Sequence, residues 1–217
     1  MRTVCLVAAI SVLSQPAFAQ APGEHVHRLH GDPAAYIKAL EDPARDKYQK
    51  PHEVMEALAI KPGEVIADIG SGSGYLTLRM AQHVGEKGHV YGVDVNGDMI
   101  RHLNERIRDG RVLNVSTILA RPDDPLLPQA VDRFVVVDVW HHVDDQAKYL
   151  GLMKTLLKPG GQVVMIDFHK RDLPVGPPLE MKISREDLIA QLETHGFKVA
   201  REHTFLPYQY FVVFEAR

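Results

Sequence analysis

The stretch Val65-Ile66-Ala67-Asp68-Ile69-Gly70-Ser71-Gly72-Ser73-Gly74-Tyr75 decides the fold of this chain. A short apolar run, dense in β-branched residues, enters three glycines at alternate positions, and an amphipathic helical pattern follows at Tyr75–Val84. Strand, glycine turn and helix in that order make a ligand cradle. Gly70 permits a sharp turn, Gly72 lets a ligand lie on bare backbone, and Gly74 lets helix and strand approach closely. Amides exposed at the start of the helix favour a carboxylate or another acceptor. A dinucleotide site needs Gly-x-Gly-x-x-Gly; here the place of the last glycine is taken by Tyr75. Asp68, at the strand end, would repel a pyrophosphate but suits a cationic ammonium group.

Outward from this turn the chain alternates strands and helices. The patterns predict strands at Val65–Ile69, His89–Asp94, Val115–Ala120, Arg133–Val139, Gln162–Asp167, Lys198–Thr204 and Tyr208–Glu215. Helices are expected at Asp98–Arg108, Asp145–Leu157 and Ser184–His195, the last opened by a cap at Ser184. Near-continuous Val/Ile runs separated by amphipathic helices mean a parallel sheet covered on both faces. The last two strands, joined across Leu206-Pro207, should form an antiparallel hairpin. The expectation is an α/β fold of seven strands, mostly parallel. Helical patterns before the first strand form an N-terminal cap over 36–62, in which Tyr48 and Gln49 are placed as a lid. Such sheets bind ligands beyond the carboxyl ends of their strands.

The second strand ends at Asp94, where a carboxylate can accept both hydroxyls of a ribose. Val95 follows, and Met99 on the next helix is placed to lie over an adenine face; the plainer roles are a capping Asp and a core Met. These features together resemble the first two motifs of class I S-adenosylmethionine-dependent methyltransferases, and the resemblance runs from about Pro51 to the C-terminus. Asp123-Asp124-Pro125-Leu126-Leu127-Pro128 is similar to the acidic loop that reaches the adenine amino group. Val135–His142 resembles the fourth strand and the loop beneath the methyl donor. Leu157-Lys158-Pro159-Gly160-Gly161 resembles the family's entry to the fifth strand. Ser184–Phe197 is similar to the final helix of small-molecule methyltransferases related to ubiquinone and menaquinone biosynthesis. The resemblance implies a Rossmann-like doubly wound sheet and S-adenosylmethionine as methyl donor. It implies a donor site built from Asp68, Gly70, Ser71, Gly72, Gly74, Asp94, Val95, Met99, Asp123, Asp124 and Asp138. The acidic loop departs from the family at Ala120-Arg121-Pro122, which leaves the adenine contact open between Asp123 and Asp124.

A sulfonium methyl is already activated, so the protein must mainly align donor and nucleophile, an effect that can supply roughly 7–11 kcal/mol. A base is required only where the acceptor loses a proton, and contributes about 10²–10⁴ in rate. The candidates follow the fourth strand: His141 first, then His142, with Asp138. The acceptor expected is a small molecule. Three other readings stay open: an isoaspartyl-protein methyltransferase, a non-catalytic protein that binds the donor or S-adenosylhomocysteine, and, against the glycine spacing, a nicotinamide enzyme.

The 217 residues carry 25 basic and 28 acidic side chains, with no basic block to mark a nucleic-acid surface. Residues 1–19 have a secretory-leader pattern: Arg2, an apolar run Val4–Leu13 too short to anchor stably in a bilayer, and Pro16-Ala17-Phe18-Ala19 before the expected cut. Export to the periplasm or medium is the expectation, and residues 20–35 read as a flexible N-terminus. Cleavage would remove Cys5, the only cysteine, and with it any disulfide or thiolate chemistry. No metal site is expected. His25, His27 and His30 lack a rigid scaffold, and no spacing specifies Asp138, His142 and His169 as ligands.

Overall fold

A computed structural model describes residues 31–217; residues 1–19, expected to be a leader, and His25, His27 and His30 lie outside the described residues. Seven strands form one sheet in the order β3-β2-β1-β4-β5-β7-β6. They are β1 (Val65–Ile69), β2 (His89–Asp94), β3 (Val115–Leu119), β4 (Val131–Val137), β5 (Leu157–Phe168), β6 (Phe197–His203) and β7 (Gln209–Ala216). The first five are parallel, and β7 runs antiparallel between β5 and β6. Strand order reverses between β1 and β4, so the ligand crevice belongs at that point.

Alternation along the strands divides the core. Ala67, Ile69, Phe134, Val136, Val163 and Met165 bury one face under α6 (Gln146–Leu156) and α7 (Arg185–Thr194). Ile66, Val90, Val135, Val164 and Ile166 bury the other under α3 (Pro51–Leu58) and α4 (Thr77–Val84). Asp68 alternates with Ile66 and meets α4. Helix α5 (Gly97–Asp109) follows β2, capped by the Asn96 side chain, which accepts from the Asp98 amide.

Several boundaries differ from the sequence reading. Strand β4 starts at Val131 and stops at Val137, because Asp138 adopts a left-handed backbone, φ 58°, that ends the ladder. Helix α4 starts at Thr77, two residues later than expected, since the glycine turn continues through Leu76. The cap begins earlier than 36: α1 covers Pro33–Leu40, with Pro33 in its first turn and Asp32 accepting from the Ala35 amide. A short helical turn at Pro43–Arg45 and α2 (Asp46–Gln49) complete the roof before α3. No helix among the described residues is long and apolar enough to cross a membrane.

Candidate active site

The parallel strands all end at one edge of the sheet, and β7 begins there. A cavity of about 1070 Å³ lies along that edge, roofed by α1, the Pro43–Arg45 turn and α2. It lies just above the usual range for small-molecule sites, about 300–1,000 Å³, room enough for two small molecules side by side.

The half beyond β1, β2 and β3 is polar. Gly70, Gly72 and Gly74 have φ of 70°, 53° and 83°, in the region that favours glycine. A Cβ at Gly70 would lie 2.2 Å from the Val139 side chain, and one at Gly72 would face Leu40 of the roof at 3.2 Å. Asp68 is buried and lines the cavity, accepting from the Thr77 hydroxyl at 2.5 Å. Burial pushes its pKa up to about 7, against the Thr77 hydrogen bond and with help from the charge of Asp94. Asp94 is braced at Oδ2 by the Gly72 amide, 2.8 Å, and at Oδ1 by the Asn96 amide, 2.9 Å. The hydroxyls of Ser71 and Ser73 are buried without a hydrogen-bond partner among the described residues. Val95, 58% exposed, and buried Met99 supply apolar surface beside Asp94.

The acidic loop behaves otherwise. Neither Asp123 nor Asp124 lines the cavity. Arg121 and Asp124 close a tight turn through both backbone bonds, at 3.0 and 3.2 Å. That turn sends Asp123 outward to Lys148 and leaves Asp124 to accept from the Leu126 amide. Ala120, Arg121 and Pro122 form this wall instead.

The half beyond β4, β5 and β7 is largely apolar and aromatic. Tyr48 lies 6.2 Å from the rings of both Phe168 and Tyr208, and Val143, Pro174 and Val175 continue the wall. Asp138 sits on the floor between the halves. Its Oδ2 accepts from Gln49 Nε2 and its Oδ1 from Gln209 Nε2, each at 2.6 Å. Burial, then the charge of Asp167, raises the Asp138 pKa, while these hydrogen bonds and Arg45 oppose the rise. Sequence reading placed Gln49 in the lid but missed Gln209; a lone polar residue opening an apolar strand was the only available signal.

The two histidines separate. His142 lines the cavity, whereas the His141 side chain is 1% exposed and lies outside the lining. His141 Nδ1 pairs with Asp167 Oδ2 at 3.0 Å, and its ring lies 4.3 Å from that of His142. Burial opposes a charged His141, but the Asp167 hydrogen bond and charge, with Asp138 behind them, raise its pKa. The geometry therefore turns the order of preference to His142 over His141 for a group that meets substrate. Asp138, His142 and His169 do not converge, and no three such groups do so among the described residues. His169 sits edge-on to buried Tyr210, 5.8 Å away, while Tyr208 lines the cavity.

Sheet order, glycine turn and paired acids define a Rossmann-like methyltransferase fold. A family model described as a methyltransferase domain matches residues 60–204, and the chain belongs to that family. It is 37% identical over 123 residues to a ubiquinone/menaquinone biosynthesis C-methyltransferase of Vibrio vulnificus, covering 55% of this chain and 45% of that protein. It is 35% identical over 129 residues to the protein of the same name from Proteus mirabilis, covering 58% and 49%. The chain thus spans about half the length of these curated relatives. A SAM-dependent methyltransferase from Aquifex aeolicus has a TM-score of 0.78 at 28% identity, covering 84% of this chain and 97% of that one. Magnesium protoporphyrin IX methyltransferase of Synechocystis with bound SAM shares the fold, with a TM-score of 0.62 at 18% identity over 84% of each chain.

S-adenosylmethionine is the donor of this family, and the residues present fit it. The buried Asp68 carboxylate, paired with a hydroxyl, suits the ammonium group. The Gly70–Ser73 turn with its two unpartnered serine hydroxyls suits the amino-acid moiety, whereas Gly74, expected in the same site, lies outside the cavity lining and packs against Leu103. Asp94, Val95 and Met99 suit a ribose and a purine.

Proposed function

We propose that this protein transfers a methyl group from S-adenosylmethionine to a small, largely apolar aromatic acceptor with an ionisable proton near the methylated atom. The observation that carries this reading is a carboxylate, Asp138, held on the floor of a cavity whose far wall is Tyr48, Phe168 and Tyr208. The curated relatives' names support ring-carbon methylation of a quinone precursor as the finer form.

When bound, S-adenosylmethionine supplies a methyl group on a sulfonium, already activated for in-line displacement. The chain's own residues do the rest. The aromatic wall orients a planar ring, the roof of α1 and α2 excludes water, and His142 flanks the acceptor. As the acceptor forms its bond to the methyl group it loses a proton, and Asp138 takes that proton.

Incubation of the full chain with methyl-labelled S-adenosylmethionine and hydroxylated benzene and naphthalene rings tests this. Label should enter the ring compounds, and Asp138→Asn should lower the rate by about 10²–10⁴. Labelling of an isoaspartyl peptide instead would overturn the reading. Binding of S-adenosylhomocysteine without transfer to any acceptor would replace it with a non-catalytic role.

We propose export as well, on the leader pattern of residues 1–19. Protein recovered outside the cytoplasm should begin at Gln20; cytoplasmic protein retaining residues 1–19 would contradict this.

A further inference from the structure

Asp138 is half-buried on the floor of the cavity. Its backbone is left-handed, a conformation that persists in a side-chain-bearing residue only when its surroundings impose it. Its carboxylate lies beside the carboxylate of Asp167 on β5. The groups that face it are Asp167, Arg45, Tyr36 and Tyr48 of the roof, His141 from the following loop, and Tyr210 of β7. Of these, Asp167 is already paired with His141.

Two amides from distant parts of the chain meet this carboxylate. Gln49 is 3% exposed and ends the roof; Gln209 is 1% exposed and opens β7. Each donates Nε2 to a different oxygen at the same 2.6 Å. The Oε1 of Gln209 is buried with no partner among the described residues. A buried amide left half satisfied is rare and calls for an explanation. Its donor end supplies one: with both oxygens accepting, the carboxyl group is drawn to its ionised form.

We infer that Gln49 and Gln209 are positioning residues that hold Asp138 ionised and aimed at the acceptor. The inference rests on the proposed role of Asp138 as proton acceptor. Gln49 belongs to the roof and Gln209 to the sheet, so the base is fully set only with the roof closed over the cavity. Gln209 lies outside the cavity lining, and Gln49, which reaches it, commits its amide donor to Asp138.

The test separates the amides from the chemistry. The Asp138 carboxyl carbon is titrated by carbon-13 NMR in the full chain, its signal assigned by loss in Asp138→Asn. Gln49→Leu and Gln209→Leu should each raise its midpoint by about one unit or more, the tenfold change expected of a lost charge-assisted hydrogen bond. The acid limb of kcat should move up by the same amount and recover at higher pH, with S-adenosylhomocysteine affinity unchanged. A merely structural role would lower kcat equally at all pH values. An unchanged midpoint in both variants overturns the inference. If Gln209→Leu fails to fold, Gln49→Leu on the roof decides alone. If the variants shift the midpoint but the wild-type chain methylates no acceptor, the amides still hold the carboxylate ionised and the proposed proton transfer falls.

Discussion

Asp68 and Asp94 face one cavity from adjacent parallel strands, Asp68 standing in register with Gly92, two residues before Asp94. A ligand lying across the glycine turn would meet one carboxylate at each end. Their closeness also has an electrostatic consequence, since the charge of Asp94 disfavours ionisation of Asp68.

Asp68 titrates near 7 in the folded chain, mainly through burial, against an ordinary 3.8. Between those values the native form holds a proton that the unfolded chain has released, so stability should fall as pH rises through that window. Donor binding should run the other way. The ammonium pairs with the ionised carboxylate, so affinity for S-adenosylhomocysteine should tighten as pH rises through about 7. Asp68→Asn should flatten both dependences in calorimetric titrations; a variant with the wild-type pH profile would contradict this assignment.

Gly70 cannot carry a side chain cheaply. Its φ is 70°, and a Cβ would meet Val139 at 2.2 Å. Gly70→Ala should cost about 1–3 kcal/mol of stability from backbone strain alone. It should also weaken donor binding by displacing the loop that carries Asp138. Chemical denaturation and calorimetry check the two effects, and a variant unaffected in both would show that the turn tolerates a side chain.

His141 and His142 should differ in kind. His142→Ala should raise the acceptor KM with little change in stability, since His142 is an exposed cavity residue. His141→Ala should destabilise by about 1–3 kcal/mol, because it leaves buried Asp167 without its imidazole. The His141 pKa is raised on folding, so this loss should be full below about 6.5 and fade as pH climbs past the folded value. Thermal melts across pH and steady-state kinetics distinguish the two; equal destabilisation would contradict the separation.

The polar half of the cavity was legible in the sequence because local chemistry dictates it. Strand, glycine spacing and terminal acids need only a few neighbouring residues, and Gly70, Gly72, Asp68 and Asp94 all line the cavity. The remainder depends on contacts across the fold. Asp138 meets Gln49 across 89 residues and Gln209 across 71, spans that no periodicity reveals. Asp123 and Asp124 lie off the cavity lining for a similar reason: acidity is visible in sequence, whereas the tight Arg121–Asp124 turn is not. Likewise, the preference for His141 over His142 could not foresee the short turn at Trp140–His142 that sends His141 inward and His142 to the cavity.

The most direct measurement is calorimetric titration of the full chain with S-adenosylhomocysteine, repeated on Asp94→Ala. One site per chain should appear in the wild type. The variant should bind at least about tenfold more weakly, as expected when hydrogen bonds to a charged group are lost. Absence of binding in the wild type, or equal affinity in the variant, would contradict the placement of the donor across Asp68 and Asp94.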